Sequence, residues 1–320
     1  GTTCFNDMYF FPDATIDVCR EVGMRASIGI TIIEFESAWA TSVDRYIEKG
    51  LVLLEAWGAD PLVRFTLSPH SPYTVSDDTL ARIAALSREH NLPVLMHLLE
   101  TEWEIKQSYQ QHDVHPVSRL EKHGLLNERL QAVHAVHTSA EDIEKIAAAG
   151  ASVVHCPQSN LKLASGFCPV GALLEAGVNV AVGTDGAASN NDLDLLAETQ
   201  TAALLAKAVA GDARVLDAGQ ALEMMTLNGA RALGMAQDIG SIEVGKQADL
   251  CALDFATPAT QPLHNVVSQL LYAASSGQVA DLWVAVRRVL KSGQLTTIDE
   301  REVLASANQW RERLARSDTA

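Results

Sequence analysis

Pro93-Val94-Leu95-Met96-His97-Leu98-Leu99-Glu100 is an apolar run of strand length that ends on a histidine, with a carboxylate three residues further on. An unbroken apolar run suits a strand covered on both faces, as in a parallel sheet. A histidine at its end stands on a rigid element at the rim of that sheet. The same pattern recurs along the chain. Strand-like runs occupy 3–8, 25–32, 62–67, 93–98, 131–136, 151–155 and 178–182. Helical patterns lie between them, for example at 42–57, 77–90, 140–149 and 193–208. In 77–90 the apolar Leu80, Ile83, Ala84 and Leu86 fall at helical spacing, and Ser76 suits the N-cap. Strand and helix in alternation predict βα units around a parallel sheet.

Such units build either an open doubly wound sheet or a closed barrel. The position of the polar residues separates the two. His70, His97 with Glu100, His134 and Asp185 each stand at or just past the C-terminal end of a strand-like run. In a barrel those ends converge on one mouth, whereas in an open sheet they are strung along an edge. The expected fold is therefore α/β, a (β/α)8 TIM-type barrel with about seven of its eight strands, over residues 1–237. The stretches 240–254 and 279–295 read as short strands with turns at Gly245 and Gly293, without helices of the βα kind. They are expected to form the C-terminal part of a small β-sandwich domain at 238–296, followed by a C-terminal helix and tail at 297–320. The chain opens without Met on Gly1-Thr2-Thr3-Cys4-Phe5, which is already strand-like. The expectation is that an N-terminal part, with the eighth strand, lies outside this sequence.

The formal net charge is −16, from 24 Lys and Arg against 40 Asp and Glu. A surface so acidic repels phosphate backbones, which argues against nucleic-acid binding and leaves a small nucleoside in a local pocket open. Five cysteines, Cys4, Cys19, Cys156, Cys168 and Cys251, are widely spaced without a Cys-x-x-Cys pair. They read as reduced thiols of a cytoplasmic protein. No apolar run approaches the roughly 18 residues of a membrane span.

Three groups carry metal chemistry in this reading. His97 at a strand end is a sound ligand position, and Glu100 beyond it can handle a proton without binding metal. In Val133-His134-Ala135-Val136-His137 one imidazole is expected to face the mouth. His134, before the turn, is that one, and His137 either supports a site residue from behind or is structural. In Gly183-Thr184-Asp185-Gly186 small neighbours let the carboxylate approach a cation and its water closely, although an N-cap for the next helix is the plainer reading of Asp185 alone. Two Pro-bearing loops, Ser68-Pro69-His70-Ser71-Pro72-Tyr73 and 155–163, offer polar side chains for a ligand. His112 and His115 have helical spacing but no carboxylate partner in sequence, and read as a solvated surface pair.

His97 with Glu100, His134, and Gly183-Thr184-Asp185-Gly186 with Ser189-Asn190-Asn191 resemble the amidohydrolase superfamily. Pro69-His70-Ser71-Pro72-Tyr73, Ser159-Asn160-Leu161-Lys162-Leu163 and Gly186-Ala187-Ala188-Ser189-Asn190-Asn191 resemble its methylthioadenosine/S-adenosylhomocysteine deaminase branch, and the likeness runs over nearly the whole chain. The resemblance implies hydrolytic deamination of an adenine ring, with a purine nucleoside as the small-molecule partner and one divalent metal, usually zinc. It implies that His97 and Asp185 bind the metal and that Asp185 also takes a proton from the attacking water. Glu100 would protonate a ring nitrogen, His134 would orient the attacking oxygen, and His70 and Ser189 would contact the purine. Relatives of this kind often form homodimers. The superfamily's His-x-His pair at the first barrel strand does not occur in these 320 residues. Two protein ligands then remain where a catalytic zinc takes at least three. The expectation is that the upstream part carries the pair and that this chain alone is inactive. Competing readings are another aminohydrolase or chlorohydrolase, acting on guanine, a pyrimidine or an s-triazine, and a metal-free relative that only binds.

Overall fold

The computed structural model describes residues 1–317. The barrel segment runs β1 Cys4–Asp7, α1 Pro12–Val22, β2 Arg25–Ile32, α2 Val43–Trp57, β3 Val63–Pro69, α3 Asp77–His90, β4 Val94–Leu98, α4 Glu102–His112, α5 Pro116–Lys122, β5 Leu130–His134, α6 Ala140–Ala149, β6 Ser152–His155, α7 Pro157–Lys162, α8 Val170–Glu175, β7 Asn179–Val182 and α9 Leu195–Ala210. Then follow α10 Ala218–Met224, α11 Leu227–Ala232, β8 Leu250–Leu253, α12 Val266–Tyr272, β9 Val279–Val284, β10 Arg287–Lys291, β11 Gln294–Leu295 and α13 Glu300–Ser317. Among the described residues no helix is long and apolar enough to cross a membrane.

β1 to β7 form one parallel sheet in strict chain order. A doubly wound sheet reverses its order at a switch point, and this one does not. The sheet also curls. β1 and β5 are four positions apart, which would separate them by about 19 Å in a flat sheet. Yet Asn6 Nδ2 donates to Gln131 Oε1 at 2.9 Å. Met8, beyond β1, likewise packs with Leu95, Val133 and Cys156 from the far strands. These contacts run across the inside of a barrel.

Alternation along each strand divides the side chains. Ile28, Ile30 and Ile32 of β2, Phe65 and Leu67 of β3, and Met96 and Leu98 of β4 face outward and join the helices in the main core. The intervening positions face the interior, where Ser27 Oγ and Thr66 Oγ1 bond each other at 2.5 Å. The helices begin on serviceable caps. Ser42, Ser76 and Ser139 accept from the third residue of α2, α3 and α6 respectively.

β8 to β11 form a second, antiparallel sheet in the order β11-β10-β9-β8. Its apolar Leu282, Val284 and Val289 rest on Met24 and Leu62, the residues just before β2 and β3, so this sheet packs against the N-terminal ends of those two strands, away from the mouth. Arg25 fastens the two: Nε and Nη2 donate to Asp249 at 2.9 and 3.1 Å, with the side chains 3% and 2% exposed.

Candidate active site

His70 directly follows β3, His97 is the penultimate residue of β4, His134 ends β5, and Asp185 lies three residues past β7. The curl brings them together. Ring centroids of His70 and His97 are 4.8 Å apart, and those of His97 and His134 5.3 Å. His134 Nε2 lies 3.7 Å from Glu100 Oε2. His97 N donates to His70 O at 3.0 Å and pulls the two strand ends together.

The backbone bends to make this possible. Leu99, His134, Ala135 and Asp185 all have positive φ, at 55°, 76°, 48° and 61°. Each such non-glycine residue costs on the order of 1–3 kcal/mol. Val133 packs inside the barrel, so simple alternation would send His134 out towards the helices; the left-handed turn brings it back to the mouth. Glu104, the third residue of α4, supports the strained corner. Its carboxylate accepts from Leu99 N at 2.8 Å and from Glu100 N at 3.2 Å.

Asp185 is surrounded by donors. Ser159 Oγ and Ser189 Oγ both donate to Oδ2 at 2.6 Å, and Gly186 N donates to Oδ1 at 2.7 Å. Burial pushes the carboxyl up, but these donors and the neighbouring His134 outweigh it and hold it below the usual carboxylate range. Ser189, read from sequence as a purine contact, thus spends its hydroxyl on Asp185. The helix cap is Asp194, which accepts from Leu196 N and Ala197 N, so Asp185 is not capping α9. His134 Nδ1 bonds Asn160 Oδ1 at 2.9 Å, which fixes the ring. His70 Nδ1 bonds Ser71 Oγ at 3.1 Å. Burial and the adjacent His134 and His70 press the His97 pKa far down, so its imidazole is neutral.

A neutral imidazole beside an ionised carboxylate is the right kind of donor pair for a divalent cation. Among the described residues, no group of three or more His, Cys, Asp or Glu is arranged to hold a metal. The fit is therefore one of donor type, with two donors, His97 and Asp185.

Other residues of the site carry no metal-type or acid-base signature in sequence. Glu198 of α9 is fully buried. It accepts from Gln158 N at 3.1 Å and from Asn190 Nδ2, and so ties the loop after β6 to the loop after β7. The one available signal was a carboxylate inside the apolar run 195–206. The 155–163 stretch, read as a Pro-bearing loop, contains the short helix α7 with Pro157 in its first turn. His112 and His115 are not a free surface pair. His115 Nδ1 lies 3.2 Å from Asp142 Oδ1 and His112 Nδ1 3.8 Å from Asp77 Oδ1, carboxylates from α6 and α3 that sequence spacing could not show.

The chain has relatives among known proteins. The profile of the amidohydrolase family matches residues 1–295. A 5-methylthioadenosine/S-adenosylhomocysteine deaminase from Teredinibacter turnerae is 50% identical over 314 residues, which are 98% of this chain and 71% of that protein. A 5′-deoxyadenosine deaminase from Methanopyrus kandleri is 39% identical over 317 residues, 99% of this chain and 73% of that protein. The crystal structure of an adenosine deaminase from Xanthomonas campestris with bound zinc superposes with a TM-score of 0.97 at 50% identity, covering 98% of this chain and 72% of that one.

Proposed function

The chain belongs to the amidohydrolase family, and from that premise we propose that its barrel mouth, with zinc as the metal, deaminates the adenine ring of 5′-methylthioadenosine and S-adenosylhomocysteine. That it is a metal-dependent hydrolytic deaminase follows from the family and from its deaminase relatives. The finer substrate reading is supported by the relative from Teredinibacter turnerae and the choice of zinc by the solved neighbour. The observation that carries it is the meeting of an acid, an imidazole and a carboxylate held by three donors, Glu100, His134 and Asp185, around the neutral His97.

His97 and Asp185 would hold the cation. When bound, a cation of this kind lowers the pKa of water towards ~7, so that hydroxide is available at neutral pH. Asp185 accepts the proton of the attacking water. Glu100 delivers a proton to a purine ring nitrogen, which makes C6 electrophilic. The water oxygen bonds to C6 and the ring passes through a tetrahedral carbon. The C6–N bond then breaks as the amino group takes the proton held by Asp185 and leaves as ammonia, while the C6 hydroxyl gives its proton to Glu100 and becomes the carbonyl. His134, fixed by Asn160, orients the attacking oxygen; His70 lines the purine side, and Ser189 holds the Asp185 carboxylate in place.

The test is the adenine-to-hypoxanthine absorbance change with the complete native gene product, zinc-loaded. Turnover of methylthioadenosine and S-adenosylhomocysteine is expected, and Asp185→Asn should abolish it. Zinc bound without turnover of any adenine nucleoside, and with turnover of guanine or a triazine, would reject the substrate reading.

A further inference from the structure

Among the described residues, the Glu100 carboxylate has one hydrogen-bond donor. It is Ser165, whose Oγ donates to Oε1 at 3.0 Å. The other oxygen, Oε2, faces His134 Nε2 at 3.7 Å. Ser165 is 8% exposed and sits in the loop between α7 and α8, far from Glu100 in sequence.

The loop is built to hold that hydroxyl in place. His137 Nε2 donates to Ser165 O at 2.8 Å, and Ser165 N donates to Asn160 O at 2.8 Å. Asn160 is also the residue that fixes His134. Ala164 and Gly166 on either side have φ of 57° and 129°. A Cβ on Gly166 would stand 2.8 Å from Val136 Cγ1, so glycine is what lets the loop close on the β5 end. One backbone segment thereby sets both the acid and the imidazole.

We propose that Ser165 is a positioning residue for Glu100: its hydroxyl engages Oε1 and leaves Oε2, on the His134 side, as the oxygen that carries the catalytic proton. The hydroxyl suits this task because Oε1 remains an acceptor whether the acid is ionised or protonated on Oε2, so the Ser165 bond persists through both protonation states. The inference rests on the deaminase reading, since it assigns an oxygen to the proton transfer in that reaction.

The experiment uses the complete native protein, zinc-loaded, with methylthioadenosine. Ser165→Ala should lower kcat by about 10–100-fold, with KM within about twofold of wild type and zinc content unchanged. Ser165→Thr, which keeps the hydroxyl, should restore most of the rate. Gly166→Ala, which displaces the loop, should repeat the kcat loss. In a Glu100→Gln background, Ser165→Ala should add little, because its effect runs through the carboxylate. A Ser165→Ala enzyme with kcat within about twofold of wild type, a full further loss in the Glu100→Gln background, or a loss that tracks zinc content would each overturn the proposal. Wild-type protein that turns over no adenine nucleoside would overturn the deaminase reading itself, and that outcome is read before any variant is made.

Discussion

At the residue scale, Glu104 shows how the site holds its strain. Its two oxygens accept the amides of Leu99 and Glu100, and the side chain is 1% exposed. Burial raises its pKa from 4.5 to about 7; the two amides and His115 pull it down, and Glu100 adds to the rise. Glu198 is raised to about 7 as well, again chiefly by burial. For an acid whose folded pKa is raised, the folded state binds more protons than the unfolded one between the two values. Stability is then greatest below pH 4.5 on this account and falls as pH rises to 7, by up to roughly 3 kcal/mol for Glu104. Urea unfolding at pH 5 and pH 7.5 should show that decline, and Glu104→Gln should reduce it, leaving the share of Glu198. A slope unchanged by the substitution would mean that Glu104 is charged across the window. Glu104→Gln should also slow catalysis, since an amide has one acceptor oxygen for two N–H groups and the Glu100 corner relaxes. Histidines and carboxylates at the ends of apolar runs are legible in sequence, because rigid strands leave few places for them to point. Glu104, Ser165 and Glu198 are not, because their roles are contacts with amides and oxygens contributed by other segments.

At the scale of elements, the strand runs were plain because a strand covered on both faces is almost wholly apolar. The helix at 77–90 also emerged with its ends intact, since Ser76 caps one and Asn91, with φ of 51°, closes the other. The helix expected at 193–208 lies two residues later, at Leu195–Ala210. The segment Asn190-Asn191-Asp192-Leu193-Asp194 offers several caps, and Leu193 with φ of 52° interrupts the first of them. Short helices such as α5 and α7 span too few residues for periodicity to declare them. α5 nevertheless braces the site. Arg119 is buried and donates to Pro72 O and Val75 O at 2.5 and 2.9 Å and to Asp77 Oδ1 at 2.7 Å. It thus grips the loop that carries His70. Arg119→Met should leave two carbonyls buried without donors and cost about 2–4 kcal/mol in denaturant unfolding. KM should rise as His70 loses its support. A variant with wild-type stability would show that water replaces the guanidinium.

At the scale of the whole molecule, the two sheets divide the labour: the antiparallel one buttresses the N-terminal ends of β2 and β3, and the C-terminal strand ends present chemistry at the mouth. Strict chain order and the Asn6–Gln131 contact across the interior identify the barrel, and neither could be read before the strands were placed in space. The mouth also has a charge character that single motifs conceal. The loops that follow the seven parallel strands, residues 8–11, 33–42, 70–76, 99–101, 135–139, 156–169 and 183–194, contain a single Lys or Arg, Lys162. That ammonium is committed to Ala188 O at 2.9 Å and Asn191 Oδ1 at 2.7 Å. Arg45, in the first turn of α2, pairs with Glu48. The same loops expose Phe35, Tyr73 and Phe167, and Tyr73 stacks edge-on both to His70, at 6.2 Å, and to the half-exposed Trp103, at 5.1 Å. An aromatic wall therefore leads outward from the site, with carboxylates and almost no cations beside it. A methylthio group gains from aromatic contact there, whereas a phosphate finds no free cation in these loops and meets like charge. We expect kcat/KM for methylthioadenosine to exceed that for adenosine 5′-monophosphate by about tenfold or more. Added salt should narrow the gap by screening the acidic rim, and Phe35→Lys should narrow it further. Equal rates for the two, insensitive to salt, would show that the outward part of the substrate does not meet this wall.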